Sequence, residues 1–126
     1  MSKQSGFMIT IMTDNEWKVD VYSSDNVRKN IGGLMEVFYR FQLNGNDYDV
    51  ICNDSGLLMS LPENLIGSCL YGDGIVGNIV IVKVGLVDGE PDFIGMSLDE
   101  VQKVKEWVFL KCMEFIMEAG DNDNES

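Results

Sequence analysis

Histidine is absent from this 126-residue chain, which removes the usual general base, the Ser-His and Cys-His nucleophile pairs and the commonest zinc ligand together. Basic residues are few, 9 against 21 acids for a net charge of −12. Direct binding to a nucleic-acid backbone, which needs clustered Lys and Arg, is therefore not expected. The three cysteines, Cys52, Cys69 and Cys112, form no C-x-x-C pair and leave an odd thiol. That argues against a structural zinc site or a disulfide framework and for buried thiols in a reducing cytoplasm. No apolar run approaches the ~18 residues of a membrane span, and the first residues carry no signal-peptide core. With no nucleophile, base or metal constellation in view, the sequence reads as a cytoplasmic protein that binds and does not catalyse, without a cofactor, a metal or a membrane.

What is present is a globular composition, 45% hydrophobic and 10% aromatic, which excludes general disorder. The acidic charge is unevenly spread. No basic residue occurs between Arg40 and Lys83, whereas Asp47, Asp49, Asp54, Glu63 and Asp73 fall inside that window. These five are the candidate binding residues for a partner with a basic surface; the plain alternative is solubility.

The pattern predicts an α+β fold, with a mainly antiparallel sheet of about 5–6 strands, one short helix and one long C-terminal helix, as a single domain over residues 1–119. Phe7–Thr13 and Trp17–Tyr22 read as a hairpin joined by Asp14-Asn15-Glu16. Ser23 and Ser24 offer an N-cap for a helix through Val27 and Ile31, stopped by Gly32-Gly33. Leu34–Leu43 is a strand with Met35, Val37, Tyr39 and Phe41 on one face, and Asn44-Gly45 turns it into Tyr48–Asn53. Leu57–Leu61 reads as short and extended, residues 62–74 as loop, and the β-branched run Ile75–Val84 as a central strand buried on both faces. Asp88–Asp92 then turns the chain out of the sheet.

Ser97-Leu98-Asp99-Glu100 is a capping box that starts a helix expected to end at Ala119 before Gly120, leaving a flexible acidic tail over 120–126. The second half of this helix carries Trp107, Phe109, Leu110, Met113, Ile116 and Met117, too wide an apolar arc for a helix covered on one side only. Either loops wrap it or it is a self-association surface for a homodimer or higher oligomer.

Other patterns carry less. Gly72-Asp73-Gly74-Ile75-Val76-Gly77 matches G-x-G-x-x-G, but a strand follows it where a dinucleotide site needs a helix. The acids Asp88, Glu90 and Asp92 and those of the tail lack EF-hand spacing. Tyr39, Tyr48, Tyr71, Phe38 and Trp17 could stack on a ring and Arg28, Lys29 and Arg40 could meet a phosphate, though core packing explains the aromatics equally well.

Ile31-Gly32-Gly33 with Glu36-Val37, Ile51-Cys52-Asn53-Asp54-Ser55-Gly56, Leu61-Pro62-Glu63-Asn64, Ile75-Val76-Gly77 with Val80-Ile81-Val82, and Ser97-Leu98-Asp99-Glu100 occur in that order. Together, over roughly residues 7 to 108, they resemble an uncharacterised domain found mostly in bacteriophage and other mobile-element genomes. Leu65 stands where members of that family often carry a base, which counts against phosphate binding by this loop. The resemblance implies a setting in the phage accessory genome. Joined to the acidic charge, it gives the expected function of a counter-defence inhibitor occupying the basic nucleic-acid-binding site of a host effector such as a CRISPR nuclease or restriction enzyme. The rival expectation is an oligomeric binder that sequesters a cyclic-nucleotide-type signal, with Arg28, Lys29 or Arg40 on phosphate and a tyrosine on the base.

Overall fold

The computed structural model describes the backbone of residues 6–124 and the side chains of residues 6–118. Three hairpins build one antiparallel sheet. Its strands are β1 (Phe7–Ile11), β2 (Trp17–Val21), β3 (Met35–Leu43), β4 (Asn46–Asn53), β5 (Ile79–Val87) and β6 (Glu90–Ile94), and its helices are α1 (Ser24–Ile31), α2 (Leu65–Tyr71) and α3 (Leu98–Asn124). The spatial order is β2-β1-β5-β4-β3, with β6 also on β5. β1 pairs with the first residues of β5 and β6 with its last ones.

The expected α+β class holds, and its local reasons are those written in the chain. The Asn44-Gly45 turn has positive φ at both residues (54° and 81°), the condition of a tight hairpin turn matched to strand twist. Ser23 caps α1 by accepting from the Asn26 amide at 3.0 Å. The Ser97–Glu100 box closes reciprocally at 3.1 and 2.8 Å. Ile79 to Val82 are fully buried because β5 lies between β1 and β4 with helices over both faces. Ile9, Ile11, Val50, Ile79 and Ile81 face α3, whose Val101, Val104, Val108 and Cys112 complete that core. Met8, Ile51, Val80 and Val82 face Val27 and Ile31 of α1 on the other side.

Five expectations are corrected. Residues 54–60 form successive turns, not a strand at 57–61, with Met59 N–H donating to Ser55 and Leu61 N–H to Gly56. Within the expected loop 62–74 lies α2, a seven-residue helix too short and too poor in helix formers to signal itself, held by burial of Gly67 and Leu70 and by contact with α3. The strand expected over Ile75–Val84 begins only at Ile79 and runs on to Val87, and the expected exit turn opens a further strand, β6. Pro91 is tolerated there because β6 pairs on one side alone. A bulge at Phe38 breaks the one-face pattern of β3: Met35 and Val37 pair with Asn53 and Ile51, while Tyr39 and Phe41 pair with Val50 and Tyr48 on the opposite face. Finally, α3 passes through Gly120 to Asn124, since one helical glycine costs only ~1 kcal/mol. The expected tail therefore starts inside the helix, and its residues 125–126 lie outside the described residues.

Candidate functional site

The segments that set this chain apart in sequence meet at one end of the sheet. Asn53, at the end of β4, is buried; its amide donates to the Ile31 carbonyl at 3.2 Å and its oxygen accepts from the Ser55 amide at 2.8 Å. Asn64 is fully buried, caps α2 through the Gly67 amide at 2.9 Å, and donates to the Ile11 and Gly77 carbonyls at 3.0 Å each. Between these two asparagines the chain folds into a compact loop over 54–63. A Cβ at Gly56 would stand 2.7 Å from Val76, and one at Gly77 (φ 81°) would stand 2.8 Å from Leu61, so both close approaches need glycine. The Gly77 amide donates to Pro62, and Glu63 bridges to Val76.

The loop's tip is apolar and exposed: Leu57 is 81% and Leu58 90% accessible, with Met59 half-exposed beside them. Acids ring it. Glu36 and Asp54 line one shallow cleft of about 130 Å³ beside Leu57 and Gly74. Glu63 and Asp73 line the adjoining one, about 290 Å³, with Gly74 common to both. Burial pushes the Cys52 thiol up to about 11, and the charges of Glu36 and Asp54 push it the same way. Behind the loop a third cleft, about 240 Å³, is lined by Asn30, Asn53, Asn78 and Thr13; its Asn30 amide is engaged by Thr10 and Asp20, and the Asn78 amide by the Asn30 carbonyl.

The five expected acids are thus divided. Asp54, Glu63 and Asp73 gather around the loop, and Glu36, which sequence reasoning passed over, joins them because β3 lies beside β4. Asp47 lies at the far end of β4, accepting from Gln42 at 2.9 Å. Asp49 is corrected as a binding residue: it is 3% exposed and held bidentately by Arg40 at 2.6 and 3.0 Å. Of the cations considered for phosphate, Arg40 is committed to Asp49 and Arg28 to Asp25 at 3.0 Å, while Lys29 is exposed.

The apolar arc of α3 is also divided. Phe109, Leu110, Met113, Ile116 and Met117 are exposed. Trp107 is corrected as a self-association residue: it stacks on Phe41 with ring centroids 4.1 Å apart and a 6° angle, which makes it part of the core layer. The exposed Leu57-Leu58-Met59 triplet was missed because an apolar triplet in a short segment reads as a buried strand. Asn64 was legible in principle, as an N-cap residue immediately before a run of small and apolar residues.

Among the described residues no helix is long and apolar enough to cross a membrane, and no group of three or more His, Cys, Asp or Glu converges as metal ligands would. No curated protein matches the sequence. Among solved structures the chain is similar to part of the crystal structure of small RNA methyltransferase HEN1, with a TM-score of 0.57 and 13% identity. The match covers 90% of this chain and 16% of that one, and at this identity it shows a shared fold alone. The sequence itself matches a family model over residues 8–108, the span that holds the sheet, α1, α2, the acidic loop and the core-facing residues of α3 up to Val108; the chain belongs to the family described as a domain of unknown function, DUF3846.

Proposed function

We propose that this protein acts by binding, and that the acid-ringed loop over 54–63 is the surface it presents to a basic partner protein. The observation that carries the reading is an exposed apolar tip beside two adjoining clefts lined by Glu36, Asp54, Glu63 and Asp73, the last three in a window of sequence without a single base. An apolar anchor inside a charged rim is the anatomy of a protein-binding hot spot. The buried asparagines and close glycine contacts hold the loop in place before binding, which lowers the ordering cost. In the phage and mobile-element setting that the sequence resembles, the partner is a host defence effector, such as a CRISPR nuclease or restriction enzyme. The acids then occupy its nucleic-acid-binding surface.

A tagged pull-down from lysates carrying defence systems, washed with rising salt, tests this. The expected capture is a basic nuclease that elutes with salt. Neutralising Asp54→Asn, Glu63→Gln and Asp73→Asn together is expected to weaken its affinity about 10- to 100-fold, and Leu57→Ser with Leu58→Ser at least as much. Affinity indifferent to salt and to both sets of variants would overturn the reading.

A further inference from the structure

We propose that two copies of this chain associate through α3, the helices antiparallel and crossing near Met113, so that the final turns of each helix lie in the groove between α3 and β2 of the other. Burial along α3 stops at Cys112, and from Met113 to Glu118 every described position is exposed. A helix end this exposed, touching the rest of the fold only where Phe115 borders the cleft against α2 and carrying Met113, Ile116 and Met117 besides, has little to hold it in water by itself. Phe109, Met113 and Ile116 follow a 4-then-3 spacing, the seam of a helix pair, and Leu110 and Met117 flank it one heptad apart.

The occupant is argued from what lies beside the seam. Trp17, Lys105 and Phe109 enclose an apolar cleft of about 320 Å³ between β2 and α3. Val19 and Val21, which alternate with Trp17 onto the same face of β2, continue the groove and are exposed. Under a two-fold axis at Met113, the partner's Ile116 and Met117 fall opposite Phe109 and Leu110, beside this cleft. Each copy therefore supplies one cleft and one plug, as a self-complementary interface requires. Geometry selects the direction: antiparallel pairing about Met113 sets the late turns of each helix against the cleft of the other, whereas parallel pairing would lay late turn on late turn and leave both clefts open. The exposed side chains of seam and groove offer roughly 600 Å² per copy, near the ~800 Å² of a standard interface.

The test is the mass of the full-length protein by sedimentation over about 1 to 100 µM. A dimer of twice the 14.1 kDa chain mass, strengthened by salt because both copies are acidic, is expected. Met113→Glu, an exposed position whose charge would meet itself across the two-fold axis, is expected to weaken association about 100-fold or more while leaving the thermal melt of the monomer in place. Leu57→Ser with Leu58→Ser leaves the dimer intact, which separates this surface from the acidic loop. A mixture of Phe109→Cys and Met117→Cys chains is expected to cross-link to each other faster than either does to itself. A monomer at every concentration, a dimer indifferent to Met113→Glu, or preferential self-linking of the Phe109→Cys chain would each overturn the proposal.

Discussion

Replacing Asn64 isolates what holds the acidic loop in place. Its oxygen caps α2 and its amide group satisfies two carbonyls, Ile11 of β1 and Gly77 before β5, at a site with no solvent access. In Asn64→Ala the lost cap costs about 1 kcal/mol, and each carbonyl left without a donor about 1–2 kcal/mol more. The expected loss is therefore about 3–5 kcal/mol, a large part of the roughly 5–15 kcal/mol that folds a domain of this size. Asn64→Ser retains a capping oxygen and is expected to recover about 1 kcal/mol of that. Asn64→Asp keeps the cap but turns a carboxylate toward two carbonyl oxygens, and at neutral pH it should be no more stable than the alanine variant. Urea unfolding followed by circular dichroism gives all three values, with an unchanged dependence on urea showing that the same surface is exposed. An aspartate variant as stable as the native protein, or an alanine variant losing less than about 1 kcal/mol, would refute the assignment of these three hydrogen bonds.

Two further outcomes follow from groups elsewhere in the fold. Burial alone would raise the Glu100 carboxyl, but hydrogen bonds from the Lys83 ammonium at 2.5 Å and the Ser97 amide at 2.8 Å, with the Lys83 charge, outweigh it and hold Glu100 below its usual 4.5. A lowered folded pKa contributes stability that is complete above the unfolded value and is lost as pH falls through the folded one. Glu100→Gln should thus be less stable than the native protein by about 1–2 kcal/mol at pH 7, with the gap shrinking as pH falls below 4.5, and a gap independent of pH would be contrary evidence. Among the thiols, burial lifts Cys52 to about 11 and Cys112 to about 12, while Cys69 is partly exposed. Alkylation of the native protein at about pH 8, read by peptide mass, is expected to mark Cys69 first and the other two at least about tenfold more slowly; equal rates would contradict their burial.

Local chemistry decided much of this protein from its sequence alone. The α1 caps at Ser23 and Gly32, the Asn44-Gly45 hairpin, the Ser97–Glu100 box and the doubly buried run of β5 all rest on interactions within a few residues or on an unbroken apolar pattern, and each was legible. The absence of bases between Arg40 and Lys83 was equally plain. What the sequence could not decide was which acids share a surface. Asp49 alternates with Asp47 as any strand residue would, and only the pairing of β3 with β4 sets it against Arg40 and removes it from the surface. Glu36 and Asp73 are far apart in the chain and flank one loop because β3, β4 and the turn before β5 converge. Trp107 and Phe109, two places apart on α3, part company because the helix rests on Phe41 along one side only. The α2 helix and the exposed Leu57-Leu58-Met59 tip exist because distant residues, Ile75, Val76 and Gly77 among them, close around the loop and Asn64. Contacts across such separations depend on where the sheet brings the chain, and no window of neighbouring residues contains them.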